Sequence, residues 1–175
     1  MEQRIISVGG GNMGRAIIGG LIEQGYEKEL LSIVDPDPDA QKFITQELGI
    51  DASPSVSNLI DAEIVLLAVK PQNMKMVAEE LSPLISNFRP LIISIAAGIT
   101  TAQLARWLGY DGTIVRAMPN TPALVGQGAA ALFATSNATR EERVSALEII
   151  STVGFAEWVD DEDLLDIVTA LSGSG

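Results

Sequence analysis

The chain has 175 residues, room for one domain with a sizeable core or for one domain and a short extension. Hydrophobic residues make up 47% and aromatics only 5%, the small-side-chain interior expected where helices pack closely on a sheet, and a net charge of −12 repels a phosphate backbone and argues against nucleic acid as a partner. With no His and no Cys, the sequence offers no Ser-His-Asp or Cys-His catalytic set, no disulfide, and no imidazole or thiolate metal site.

The chain opens MEQRIISV, without a basic and then apolar signal region, and no apolar run approaches the roughly 20 residues that span a bilayer. A cytoplasmic protein without a membrane partner is expected. Strands are predicted over 4–8 (RIISV), 31–35 (LSIVD), 63–69 (EIVLLAV), 90–95 (PLIISI) and 113–118 (TIVRAM), with a weak one near 50–52. Most are unbroken apolar runs, which marks strands buried on both faces of a parallel sheet. Helices are predicted over 12–24, 37–48, 56–60, 72–86, 101–108 and 140–153. Thr100 with Gln103, and Thr139 with Glu142, have capping-box spacing. This βα alternation predicts a doubly wound α/β domain of Rossmann type, mainly parallel, with strand order 3-2-1-4-5-6. Segments 129–134 and 155–159 are expected to add one or two strands at the sheet edge. The acidic run 160–163 precedes the apolar LLDIVTAL, a composition suited to a helix start, and a domain boundary is placed there.

Between the first strand and the first helix lies GGGNMG: Gly9, Gly10, Gly11, Asn12, Met13 and Gly14. Gly9, Gly11 and Gly14 match G-x-G-x-x-G, and the flanking strand and helix supply the context the motif requires. Gly9 serves the tight turn, Gly11 the approach of a pyrophosphate, and Gly14 the packing of helix on strand. Free N–H groups at the helix start face the phosphates. Gly10→Ala is therefore expected to be tolerated better than Gly11→Ala. Asp35 ends the second strand, 21 residues after Gly14, where a carboxylate grips the adenosine ribose. The other role for Asp35 is a helix cap, but Asp37 followed by Pro38 fits the cap better. A carboxylate at this place disfavours a 2′-phosphate, so NADH is favoured over NADPH.

Three further strands run into unusual sequences at the edge where ligands bind in this fold: Lys70-Pro71-Gln72, Ala96-Ala97-Gly98 and Pro119-Asn120-Thr121-Pro122. Small residues at Ala68, Ala96, Ala97 and Gly98 let a flat ring approach, or simply let helices pack on the sheet. Lys70 is either a surface lysine or a charge near the ribose or a substrate carboxylate. Asn120 and Thr121 have turn chemistry and equally the means to donate to a substrate.

The stretches GGGNMGRAI, LLAVKPQ, ISIAAGI, VRAMPNTPALVGQGAAALFA and DIVTALSGSG together resemble pyrroline-5-carboxylate reductase, from Ile6 to Gly175. The resemblance implies reduction of the cyclic imine Δ1-pyrroline-5-carboxylate to L-proline, the last step of proline biosynthesis, with hydride from NADPH or NADH. It implies a Rossmann domain followed by a helical dimerisation domain. On that basis residues 1–159 are the dinucleotide-binding domain and 160–175 the start of a second domain otherwise absent, with LSGSG cut from a longer signature. The resemblance assigns the pyrophosphate to the loop from Gly9 to Gly14 and places Asp35 near the ribose. Ser55 falls where many members carry a cofactor-touching Asn, a departure. Ala68, Val69, Lys70 and Pro71, with Ile95, Ala96 and Ala97, would line the nicotinamide half. Asn120 and Thr121 would lie near the nicotinamide end and the substrate, and the other substrate-holding groups would belong to the second domain. The complete protein would be a homodimer or larger. The chain alone would be a monomer, with Leu164, Leu165, Ile167, Val168 and Leu171 partly uncovered. The alternatives are another reductase, of the 3-hydroxyacid dehydrogenase or deazaflavin-dependent NADP type, and a non-catalytic dinucleotide module.

Overall fold

The structure, a computed structural model, describes residues 3–58 and 61–172. Its strands are β1 (Ile5–Val8), β2 (Leu31–Val34), β3 (Asp51–Ser53), β4 (Ile64–Leu67), β5 (Leu91–Ser94), β6 (Ile114–Pro119), β7 (Gly128–Ala134) and β8 (Gly154–Trp158). They form one sheet in the order β3-β2-β1-β4-β5-β6-β7-β8. Neighbours pair parallel except β6 with β7, which are antiparallel. The expected order is present with both additional strands. Of these two, only β8 is an edge strand, because β7 pairs on both sides.

The apolar runs explain the layering. Every residue of β1, β4 and β5 is buried. Side chains alternate between faces along a strand, so Ile5 enters one core and Ile6 the other. The first core takes Ile17, Ile18 and Leu21 of α1 (Asn12–Glu23) and Ile149 and Ile150 of α5 (Arg140–Ser151). The second takes Met74, Ala78 and Leu81 of α3 (Pro71–Ile85) and Leu104 and Leu108 of α4 (Thr101–Leu108). Both expected capping boxes are formed, by Thr100 with Gln103 and by Thr139 with Glu142.

Three expectations need correction. The helix over 37–48 is split into α2 (Pro38–Phe43) and a π-helical turn (Ile44–Leu48), which Gly49 ends at φ +67°. Over 56–60 there is one 3-10 turn (Val56–Asn58), and 59–60 lie outside the described residues. In α6 (Asp163–Ser172), Leu165 is fully buried, because α6 packs back against β6 and β7. Leu164 and Ile167 are exposed as expected, Val168 is half-buried, and the side chain of Leu171 lies outside the described residues, as do the last three residues of LSGSG. Among the described residues no helix is long and apolar enough to cross a membrane.

Candidate functional site: a glycine-lined cleft at the strand ends

Strand order reverses between β1 and β4, and the crevice beyond their C-terminal ends is where ligands sit in such sheets. Hydrogen bonds close this point tightly. Gly9 N–H donates to Val34 O at 2.7 Å, and Ala68 N–H donates to Val8 O at 2.8 Å. Gly9 has φ +109°, and a Cβ there would lie 2.5 Å from the Ala68 carbonyl oxygen. A Cβ on Gly14 would lie 2.5 Å from the Gly9 carbonyl oxygen, so α1 rests directly on the loop. Gly11 differs from both: nothing lies within 4 Å of where its Cβ would be. It is the N-cap of α1, where no side chain supplies a capping bond and no acid occupies the first turn. A helix start left in that condition suits an anion.

Gly10 carries a packing constraint separate from any ligand contact. A Cβ there would meet Ile44 Cδ1 at 2.9 Å and Asp35 Cβ at 3.2 Å. For the fold, then, Gly10→Ala is the harder change and Gly11→Ala the easier one. The crowding follows from Asp35, whose Oδ2 accepts the Gly10 N–H at 2.7 Å and whose Oδ1 accepts the Asp37 N–H at 2.9 Å. Asp37 caps α2 by accepting the Asp39 N–H at 3.0 Å, with Pro38 following. Asp37 is thus the cap that its place before Pro38 suggested, whereas both carboxylate oxygens of Asp35 already accept backbone N–H groups. Asp35 also holds the glycine loop to the end of β2, a tie the sequence did not reveal.

A cleft of about 410 Å³ opens here. It gathers Gly9, Gly11, Asp35, Ser55, Ala68, Val69 and Lys70 from the expected set. Ser55 is held in a turn, accepting at its Oγ from the Ser57 hydroxyl at 3.0 Å. Lys70 is exposed and is the N-cap of α3. One face of α3 completes the wall with Asn73, Met76, Val77 and Glu80. These four were missed, although their three- and four-residue spacing after KPQ is a legible helix face. Met76 is 63% exposed, an apolar side chain presented to the cleft.

The other expected residues lie elsewhere. Gly10 and Gly14 are buried behind the loop, and Met13 packs against the first core. Asn12 is on the far side of α1, accepting from Arg15 Nη2 at 2.9 Å. Pro71 is exposed at the first position of α3. Ile95, Ala96 and Ala97 follow β5, with Ala96 buried. Asn120 follows β6, and its Oδ1 accepts the Ala129 N–H at 2.9 Å, a turn-forming role. Thr121 is exposed at the start of a 3-10 turn (Thr121–Val125). These last segments share the sheet's C-terminal edge with the cleft without lining it. A groove of about 610 Å³ on the other side of α1 reaches Arg15, Phe43 and Val125. It includes neither Asp35 nor Ala68, so the smaller cleft has the chemistry for a dinucleotide: a bare backbone, an uncapped helix start and a carboxylate.

The sequence profile of the family described as NADP oxidoreductase coenzyme F420-dependent matches residues 4–98. Over 98% of its length the chain is 44% identical to a pyrroline-5-carboxylate reductase of Pseudomonas aeruginosa, of which it covers 63%. A solved pyrroline-5-carboxylate reductase from Coxiella burnetii superposes with a TM-score of 0.95 at 39% identity, over all of this chain and 65% of that one. A Plasmodium falciparum pyrroline carboxylate reductase, solved with NADP bound, gives 0.85 at 29% identity, over all of this chain and 64% of that one. The chain thus spans somewhat less than two thirds of the length of these proteins.

Proposed function

The chain belongs to the family described as NADP oxidoreductase coenzyme F420-dependent, and from that premise we propose that it is the dinucleotide-binding part of a pyrroline-5-carboxylate reductase, reducing Δ1-pyrroline-5-carboxylate to L-proline. The observation that carries the binding half is Gly11, where a Cβ would fill open space at an uncapped helix start. What favours the imine as substrate is the likeness to named reductases over nearly the whole chain, including residues 99–172 beyond the family profile. A deazaflavin-dependent reductase, suggested by the family's description, is the second reading.

In this account the N–H groups at the start of α1 hold a pyrophosphate, and Gly11 leaves it room. Asp35 faces the ribose from the end of β2 while keeping the loop in place. Met76 and Val77 form an apolar shelf on the adenosine side. Ala68, Val69, Lys70 and Pro71, then Ile95, Ala96 and Ala97, lead along the strand ends to the nicotinamide half, with Asn120 and Thr121 at its far end. NADPH or NADH, when bound, supplies the hydride. The lack of His is no obstacle, since a protonated ring imine is already electrophilic at carbon and positioning is the main task. The carboxylate of Asp35 favours NADH. Residues 1–159 form the dinucleotide domain and 160–175 lead into the substrate half. The complete protein is cytoplasmic and assembles as a homodimer or larger.

The test is proline formation from the imine with NADPH or NADH, by protein expressed from the complete reading frame that contains these residues. Dinucleotide binding without proline would contradict the imine reading, and a substrate panel would then separate the other reductases. The 175 residues alone are expected to bind dinucleotide and to turn over weakly.

A further inference from the structure

Arg116 lies within β6, yet its side chain is only 1% exposed. It points to the same face as Ile114, which packs in the α3–α4 core. Its Nη2 donates to Asp166 Oδ1 at 2.5 Å, and its Nη1 lies 3.5 Å from Glu162 Oε1. Glu162 is engaged on a second side: Oε1 accepts the Thr101 N–H at 2.7 Å, and Oε2 accepts the Thr101 hydroxyl at 2.8 Å. Thr101 is the first residue of α4, shortly after Ile95, Ala96 and Ala97. Three elements are therefore linked around one buried guanidinium: β6 through Arg116 itself, the start of α6 through Glu162 and Asp166, and the start of α4 by way of Glu162.

A buried ion cluster is a poor way to gain stability, since a well-packed apolar side chain does as well or better. What a planar fork adds is geometry, because it accepts carboxylates in few orientations. We propose that Arg116 is a positioning residue: it fixes α6 to the ends of β5 and β6, and so sets where the chain leaving α6 stands relative to the nicotinamide end. This rests on the reading above that α6 leads into the substrate half.

The experiment uses protein from the complete reading frame, with Arg116→Met, Arg116→Lys and Asp166→Asn. It reads hydrogen exchange of the α6 amides, dinucleotide Kd, and kcat and KM for imine reduction. For Arg116→Met we expect α6 protection and kcat/KM each to fall about tenfold, with dinucleotide Kd held within about twofold. Arg116→Lys, which restores the charge without the fork, should recover part of both. Asp166→Asn, which changes the half-exposed partner, should act in the same direction with a smaller effect. Unchanged α6 exchange, or a loss shared by the whole sheet together with dinucleotide binding, would overturn the proposal. Should Arg116→Met fail to fold, Arg116→Lys and Asp166→Asn decide by the same criteria. If the unsubstituted protein does not reduce the imine, the functional reading fails, and the α6 exchange pattern still judges Arg116.

Discussion

At the glycine loop, chain segments come together because side chains are missing: Gly9 lies against Ala68, and Gly14 against Gly9. At β6 and α6 they come together around one large charged side chain, which pairs with Glu162 just before α6 and Asp166 within it. Both places lie on the working side of the sheet, and they respond to substitution differently. The loop's geometry belongs to the backbone, so adding an atom breaks it. The Arg116 cluster belongs to side chains, so removing atoms loosens it. In the loop, moreover, the tolerance of each glycine is set by what faces it.

The largest effect is expected at Gly9. Gly9→Ala combines a positive φ with a clash against the Ala68 carbonyl, and should cost about 3 kcal/mol or more in stability. Thermal denaturation checks it, and a melting temperature close to that of the parent would break the contrast between loop and cluster. Next is Asp35→Ser. It deprives the Gly10 and Asp37 N–H groups of their acceptor, at about 1–2 kcal/mol of stability. If the carboxylate also faces the ribose, the ratio of NADPH to NADH affinity should rise about tenfold. A stability loss with an unchanged ratio would leave Asp35 with the loop-holding role alone.

The smallest effect is a control at a residue that bonds to neither place. Tyr110 donates its hydroxyl proton to the Pro90 carbonyl at 2.5 Å, and burial, opposed in part by the Arg89 cation, pushes its pKa up to about 12. A pKa raised on folding favours the protonated form, so this contribution is complete below about pH 10 and fades as the pH rises towards about 12. Tyr110→Phe should cost about 1 kcal/mol at neutral pH and flatten the stability curve above pH 10. Tyr26, also raised by burial, retains its own alkaline dependence. Urea denaturation at a series of pH values measures both.

The sequence revealed most where the signal was local. The strand and helix that flank the fingerprint, the strand runs and the two capping boxes each occupy a few consecutive residues, and each is present in the structure. The α3 face is equally local, but an exposed Met and Glu on a helix carry no signal that distinguishes a cleft wall from ordinary surface. The tie from Asp35 to Gly10 and the Arg116 cluster were not legible, since their partners lie 25, 46 and 50 residues apart. Arginine inside an apolar strand was the one available hint. Leu165 depends on equally distant partners: α6 packs back on β6 and β7, and this apolar position of the helix is buried.

The central claim is that a dinucleotide lies across Gly11, and Gly11→Ala tests it with least ambiguity. An alanine fits the φ of −69° and meets no protein atom, so stability should change by about 1 kcal/mol at most. NADH and NADPH affinities, measured by fluorescence titration of parent and variant, should both fall about tenfold or more. A variant that melts with the parent and binds both dinucleotides as tightly would contradict the account.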